Sequence, residues 1–183
     1  FVQEVLSNLP DNATEEQRTI FFDVKCSMAL EEAIEELGGV PKMVRTGHTF
    51  MKKELREFPG SPMAGEMSGH FFMNDHWDGF DDSIYCAARL LSIIGTDPSP
   101  ELGGPKFSER FDFLPEYPTT DEGKVPLVGE REEVMEAVVS AFSDMPTSTV
   151  DGIRVRYDDG WYLCRPSNTC LLYTSPSPRD LRK

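Results

Sequence analysis

The sequence predicts an α/β domain with a mixed sheet, followed by a truncated α+β domain. A strand, a helix, a Gly-Gly pair and a second strand follow one another over residues 19–45, the order of a βαβ unit with parallel strands. Residues 95–118 are rich in Pro, Gly and charge, as in an interdomain connection. Alternating apolar residues over 149–164 then predict strands joined by a tight turn.

The first domain begins with the apolar run 19–22, which predicts a buried strand ending in Asp23-Val24-Lys25. A helix is predicted over residues 28–37, Gly38-Gly39 ends it, and residues 41–45 form the next strand. Asp81-Asp82 begins a later helix. The apolar positions expected to face the core are Leu30, Ala33, Ile34 and Leu37 in the first helix, and Ile84, Ala88, Leu91 and Ile94 in the second.

The second domain is predicted from one helix and two strands. Residues 131–142 are amphipathic, with Val134, Ala137, Val138 and Phe142 on one stripe. Residues 149–157 alternate as a strand does, Asp158-Asp159-Gly160 forms a turn, and residues 161–164 begin the second strand.

The net charge indicates which partners can be excluded, and the cysteine content indicates the cellular compartment. The chain has 183 residues, 32 of them acidic and 18 basic, with a formal net charge of −14. Such a charge repels nucleic acid and acidic membranes, so we exclude both as partners, and no apolar run is long enough to span a bilayer. Four cysteines without a CxxC pair predict reduced thiols in a cytoplasmic protein.

Polar loops follow the predicted strand ends of the first domain. They contain Lys25, the Thr46-Gly47-His48 segment, and Glu66, Ser68 and His70 in the stretch MAGEMSGHFF. Because ligands collect at the carboxyl ends of parallel strands, we expect these loops to share one site. A carboxylate, a hydroxyl and an imidazole suit a polyhydroxylated substrate, although a surface turn can have the same composition. Arg45, Lys52 and Lys53 add local positive charge, which favours an anionic substrate.

A second cluster follows the last predicted strand. Arg165, Ser167, Asn168 and Thr169 combine a guanidinium with hydroxyl and amide donors, which suits a phosphate group. A polar turn that closes a strand is the alternative. The three histidines, His48, His70 and His76, lack the spacing of metal ligands, so we predict no metal site in this chain and a structural role for His76.

Five motifs occur in order: FDVKCS (22–27), RTGHTFMK (45–52), AGEMSGH (64–70), GFDD (79–82) and RPSNT (165–169). With them the chain resembles the C-terminal half of bacterial phosphomannomutases/phosphoglucomutases, in the α-D-phosphohexomutase superfamily. The resemblance runs from about residue 22 to residue 169. It implies interconversion of the 1- and 6-phosphates of mannose or glucose through a hexose 1,6-bisphosphate.

The resemblance also implies roles for individual residues. Glu66 and Ser68 would hold the 3- and 4-hydroxyls of the sugar, and His70 would act as a general acid or base. Lys25, Thr46, Gly47 and His48 would line the same cleft, and Arg165, Ser167, Asn168 and Thr169 would hold the phosphate that is not transferred. The phosphoserine and the Mg²⁺ ligands of the family belong to N-terminal domains that this chain lacks, so we expect the chain alone to be inactive.

The resemblance divides the chain into three parts. Residues 1–105 correspond to the sugar-binding α/β/α domain 3, N-terminally incomplete, and residues 106–169 to a C-terminally truncated, phosphate-binding domain 4. Residues 170–183 are expected to be a non-native tail, because their sequence reads as a translated transposon-end sequencing adapter. We expect this tail to supply neither the strand nor the helix that would complete the sheet around Leu163 and Cys164.

Two alternatives remain open. The chain resembles phosphoglucosamine mutases less, because Met67 stands where they have Gln, and Asn168 where they have Gly. A non-catalytic module that binds sugar phosphates is the alternative from another class.

Overall fold

The computed structural model describes residues 1–96, 104, 106–126 and 128–166, and the backbone of residues 172–175. Its helices are α1 (Val2–Ser7), α2 (Glu15–Arg18), α3 (Met28–Glu36), α4 (His48–Glu57), α5 (Ser83–Thr96) and α6 (Arg131–Ala141), with a 3₁₀ helix at Phe107–Phe111. Its strands are β1 (Thr19–Asp23), β2 (Val40–Val44), β3 (Met63–Gly65), β4 (Phe71–Met73), β5 (Gly123–Pro126), β6 (Thr147–Ser148), β7 (Ile153–Tyr157), β8 (Gly160–Pro166) and β9 (Leu172–Ser175).

The first sheet has the strand order β2-β1-β3-β4. β1 runs parallel to both β2 and β3, and β4 is antiparallel to β3. Every residue of β1 is buried, as expected for a strand that is covered on both faces. Ile20 and Phe22 pack with Ile34 on one face, and Phe21 packs with Met51 on the other. The predicted α/β class with a mixed sheet is therefore confirmed.

The predicted βαβ unit is present as β1, α3 and β2. Ser27 caps α3, because its hydroxyl accepts a hydrogen bond from the backbone N–H of Ala29. Gly38 follows the helix with a φ of 77°, a conformation that costs glycine little. The first and last residues predicted for this unit, 19 and 45, agree to within one residue with the observed start of β1 at Thr19 and the observed end of β2 at Val44.

The second sheet is antiparallel, in the order β5-β9-β8-β7-β6. On one face, Ile153, Val155 and Cys164 pack against α6. On the other face, Trp161 and Leu163 pack against Val24 and Met28 of the first domain. The predicted hairpin of β7 and β8 is present, with Tyr157 paired to Gly160.

The structure corrects the expectation that the chain after residue 169 cannot supply a further strand of this sheet; the expected absence of a covering helix concerns residues outside the described ones. β9 lies between β5 and β8, with Thr174 opposite Arg165. Backbone pairing requires no particular side chain, so a segment of mixed composition can form a strand wherever two partner strands present unpaired N–H and C=O groups.

Three smaller expectations are also wrong. In α5 the predicted apolar face is exposed, with Ile84 82% and Leu91 69% accessible, whereas Cys86 and Ile93 are buried. In α6, Ala137 is exposed and Met135 and Val139 pack on the sheet instead. The first long strand of the hairpin begins at Ile153, and residues 150–152 form a bend before it.

Candidate functional site

Three parallel strands of the first sheet end at the same edge. The chain leaves β1 at Asp23, β2 at Val44 and β3 at Gly65, and the parallel pairing places these carboxyl ends side by side. We call the loops that follow them, residues 23–26, 45–48 and 66–70, the rim. The rim brings together the predicted site residues Lys25, Thr46, Gly47, His48, Glu66, Ser68 and His70.

The carboxylate of Asp23 forms hydrogen bonds with residues of all three rim loops. Its side chain is fully buried, and its Oδ2 accepts a hydrogen bond from the hydroxyl of Thr46 at 2.9 Å. Its Oδ1 accepts from the backbone N–H of Met67 at 3.2 Å and from the thiol of Cys26 at 3.1 Å. Burial and the neighbouring charge of Asp23 raise the pKa of Cys26, so this thiol remains protonated and donates.

Glu66 makes a second connection across the rim. The residue is 7% exposed, and its Oε1 accepts a hydrogen bond from the backbone N–H of Gly47 at 2.5 Å. Its own backbone N–H donates to the carbonyl of His70 at 2.9 Å, and its carbonyl accepts from Gly69 at 2.9 Å. The third loop is thus a tight turn with a fixed carboxylate. A carboxylate has about four lone-pair positions, so Glu66 retains capacity for ligand hydroxyls.

The imidazoles of the rim are accessible to solvent. His48 is exposed at the start of α4, with its Nδ1 3.5 Å from Nζ of Lys52. His70 is exposed, and its Nδ1 lies 2.6 Å from Oδ2 of Asp81. Asp81 therefore orients the ring of His70 and leaves its Nε2 for other partners. Ser68 is exposed and Lys25 half-buried.

Arg165 reaches the rim through Asp151, a residue of the bend before β7. Nη2 of Arg165 lies 3.0 Å from Oδ2 of Asp151, and the same oxygen accepts from the backbone N–H of Thr46 at 3.4 Å. Both side chains are buried, with 8% and 4% exposed. Nε of Arg165 is buried and has no hydrogen-bond acceptor among the described residues. Asp151 therefore fixes the position of the guanidinium, and the Nε–H group of Arg165 remains as a hydrogen-bond donor without an acceptor among the described residues.

A cavity of about 550 Å³ adjoins this contact. It is lined by Arg45, Asp151, Gly152 and Pro166, and by residues of α6. Gly152 has a φ of 78°, and a Cβ there would lie 2.3 Å from the carbonyl oxygen of Cys164. Only glycine allows this approach, which sets Asp151 beside Arg165. The other predicted phosphate ligands, Ser167, Asn168 and Thr169, lie outside the described residues.

Asp23 and Asp151 belong to the site but were not among the residues predicted from the sequence motifs. Asp23 had a signal, because it is the last residue of a buried strand whose carboxyl end carries the site. Asp151 had a weaker signal, the Asp-Gly pair before an alternating segment. Within the part of the chain that the structure describes, no group of three or more His, Cys, Asp or Glu side chains is arranged to hold a metal ion.

Comparison with known proteins identifies relatives of this chain. The family model for phosphoglucomutase/phosphomannomutase, alpha/beta/alpha domain III, matches residues 3–111. A phosphomannomutase/phosphoglucomutase of Pseudomonas putida is 41% identical over 190 residues, which cover 100% of this chain and 38% of that protein. Its counterpart in Pseudomonas syringae is 40% identical over 153 residues, covering 82% of this chain and 31% of that protein.

A solved structure extends the match to the fold. A phosphoglucomutase/phosphomannomutase family protein from Burkholderia thailandensis superposes with a TM-score of 0.79 at 37% identity, covering 98% of this chain and 36% of that one. The chain thus spans about a third of the length of the relatives that it matches.

Proposed function

Because the chain belongs to the phosphoglucomutase/phosphomannomutase family, we propose that it is the sugar- and phosphate-binding part of a phosphohexomutase. The whole enzyme would interconvert the 1- and 6-phosphates of mannose or glucose through a hexose 1,6-bisphosphate. In this part, Glu66 and Ser68 would bind the 3- and 4-hydroxyls, and the segment from Arg165 to Thr169 the phosphate that stays in place.

The observation that carries this proposal is the connection between the two binding groups. Glu66 is fixed to Gly47 on the rim, and Arg165 is fixed through Asp151 to Thr46 on the same rim. A carboxylate for hydroxyls and a guanidinium for phosphate are thus held in one arrangement before any ligand binds. Phosphoryl transfer depends mainly on such positioning and on charge stabilisation.

The same arrangement suits an intermediate that binds in two orientations. When a hexose 1,6-bisphosphate turns over, its two phosphates exchange places, and so do its 3- and 4-hydroxyls. Glu66 would then accept from the same pair of hydroxyls, and Arg165 would hold whichever phosphate is distant from the reaction. His70, oriented by Asp81, would move a proton to or from the attacking hydroxyl.

The proposed whole enzyme would also use Mg²⁺. The described residues of this chain offer no cluster of ligands for it. As the family resemblance implies, Mg²⁺ would be bound by parts of the whole enzyme outside this chain, where it would stabilise charge on the transferred phosphoryl group. We therefore propose that this chain alone has no mutase activity. None of the described helices is long and apolar enough to cross a bilayer, and a cytoplasmic location remains a prediction.

The proposal is tested by substitution at both binding groups. In the full-length enzyme, Glu66→Ala and Arg165→Ala should each lower kcat/KM for glucose 1-phosphate about 10- to 100-fold, because a hydrogen bond to a charged group contributes about 1.5–3 kcal/mol. In the chain alone, calorimetry should show weaker binding of glucose 1,6-bisphosphate by both variants.

Glu57→Ala is the matched control, since it removes an exposed carboxylate that forms a surface ion pair with Lys53 at 3.6 Å. Unchanged kcat/KM in both site variants would contradict the assignment. Faster turnover of glucosamine 6-phosphate than of glucose or mannose 1-phosphate would favour a phosphoglucosamine mutase. Binding without turnover in the full-length protein would favour the non-catalytic module.

A further inference from the structure

Helix α5 has an apolar face that the described residues leave exposed. Ile84 is 82%, Leu91 69% and Ile94 42% accessible. These positions are seven and then three residues apart, so they lie on one side of the helix. Ala87 and Ala88 lie on the same side and are exposed as well. A contiguous apolar surface of this kind marks an interaction site, whereas single exposed apolar residues are ordinary.

The composition of α5 is that of a covered helix. Its one charged residue is Arg89, whose side chain faces inward to Glu4 and Asp75 and is only 8% exposed. A helix that is apolar all round is typical of a buried position, and the centre of a protein interface is depleted of charged residues. With 14 residues, α5 is too short to cross a bilayer, and the acidic pair Asp81-Asp82 before it opposes binding to an anionic lipid surface.

Two exposed aromatic side chains precede the helix. Trp77 is 41% exposed, and its ring stacks on Tyr85 in the first turn of α5 with the ring centroids 4.7 Å apart. Phe80 is 55% exposed and directly precedes Asp81, whose Oδ2 lies 2.6 Å from Nδ1 of His70 on the rim. The exposed apolar residues therefore run from α5 to the neighbourhood of the rim. We call this set the α5 surface: Trp77, Phe80, Ile84, Leu91 and Ile94.

The amino-terminal end of the chain lies close to α5. Phe1 packs on Phe71 of β4 with the ring centroids 5.0 Å apart, and Glu4 of α1 binds Arg89 of α5 at 2.8 Å. The matched family model describes a domain III and begins at residue 3, and the chain spans about a third of the length of its relatives. A domain that precedes residue 1 is therefore attached within reach of α5. A short connection gives a high effective concentration, which favours that domain over a second copy of the chain.

From these observations we propose that the α5 surface is the docking face for the domain that precedes residue 1 in the whole protein. The surface of that domain which meets α5 is apolar and uncharged, since a charge placed there would lose its hydration without gaining a partner. Docking on α5 places the preceding domain beside Asp81 and His70, at the edge of the rim. The inference rests on the proposed function only in that the whole protein extends before residue 1.

Thiol labelling measures whether the α5 surface is covered. Leu91→Cys is prepared both in the 183-residue chain and in the full-length protein, and the reaction of residue 91 with a maleimide is followed by peptide mass spectrometry. This thiol should react about tenfold more slowly in the full-length protein, because a covered side chain reacts only when the interface opens. Val128→Cys is the matched control, since Val128 is 84% exposed and lies in the second domain. It should react at the same rate in both proteins.

A charge on the same face provides a second test. Ile84→Glu, combined with Leu91→Cys, should restore fast labelling in the full-length protein, because a carboxylate buried without a partner opposes docking. In the chain alone it should change nothing, since Ile84 is already exposed. If the double variant does not fold, the labelling rates of Leu91→Cys alone decide.

Two outcomes would overturn the proposal. One is equal labelling of Leu91→Cys in the chain and in the full-length protein. The other is protection that increases with protein concentration, which would identify a second copy as the occupant. Neither measurement involves catalysis, so a full-length protein without mutase activity would contradict the proposed function and leave this result unaffected.

Discussion

The two sheets bury their residues in different ways. In the first sheet all five residues of β1 are buried, and α3 and α4 cover opposite faces. Among the described side chains of the second sheet, the buried ones lie mainly in β7 and β8, β5 is exposed along its whole length, and the neighbouring α6 has no fully buried residue. The loops of the rim therefore follow strands that are embedded in a large buried core, whereas Arg165 lies in a sheet with smaller buried clusters. We expect lower local stability in the second sheet.

The largest expected effect comes from substituting a glycine in each region. Gly152→Ala should destabilise the second sheet by about 4 kcal/mol or more, because its Cβ would overlap the backbone of Cys164 and Arg165. Gly38→Ala is the matched control, since Gly38 has nearly the same φ but no atom within 4 Å of an added Cβ. It should cost only about 1–2 kcal/mol.

Hydrogen exchange measures the loss of amide protection in each region separately for both glycine variants. In Gly152→Ala, protection should fall in β7 and β8 and remain in β1. Equal loss of protection in both sheets would show that they unfold as one unit, and the contrast between the two regions would then be wrong.

A smaller effect is expected at the buried carboxylate of the rim. Asp23→Ala should destabilise the protein by about 3 kcal/mol, because Thr46, Met67 and Cys26 all lose an acceptor. Asp23→Asn keeps two of the hydrogen bonds by orienting its amide and should cost about 1 kcal/mol. Urea unfolding gives both values. A cost below 1 kcal/mol for Asp23→Ala would mean that the loops are held by other contacts.

The smallest effect concerns an ion-pair cluster that joins α1 to α5. Arg89 binds Asp75, with Nη1 to Oδ1 at 2.6 Å, and Glu4, with Nε to Oε2 at 3.0 Å. Arg89→Met should cost about 2 kcal/mol, less than a fully buried pair would, because both carboxylates are partly exposed.

Acid unfolding gives an independent measure of that cluster. Burial alone would raise the pKa of Asp75, but its hydrogen bonds and charge interaction with Arg89 outweigh burial and hold the pKa below its usual value. The stabilisation is therefore present above the unfolded pKa of about 3.9 and is lost as the pH falls through the lower folded pKa. The stability of Arg89→Met should fall less steeply below about pH 4. Parallel pH profiles for the two proteins would exclude a role of Asp75.

The sequence by itself determined the elements whose signals are local. An unbroken apolar run predicts β1, helical spacing and Gly38 predict α3, and polar residues after each strand predict the rim loops. These signals suffice because the strands of a βαβ unit run parallel, so their carboxyl ends lie at the same edge of the sheet.

Only the tertiary structure decided which face of α5 is buried. That helix is apolar almost all round, so its periodicity does not define an inward face. Arg89 sets its rotation, because its contacts with Glu4 and Asp75 require this side to face the molecule. Cys86 and Ile93 are buried as a consequence, and Ile84 and Leu91 are exposed.

Long-range pairing accounts for the remaining differences. β9 lies between β5 and β8, and Asp151 meets Thr46 across 105 residues of chain. Neither contact leaves a local pattern, because backbone hydrogen bonds are indifferent to side-chain identity and a single carboxylate has no periodicity. The residue types of the candidate site were thus readable from the sequence, whereas the hydrogen bonds by which the buried Asp23 and Asp151 hold them in place were defined only by the folded chain.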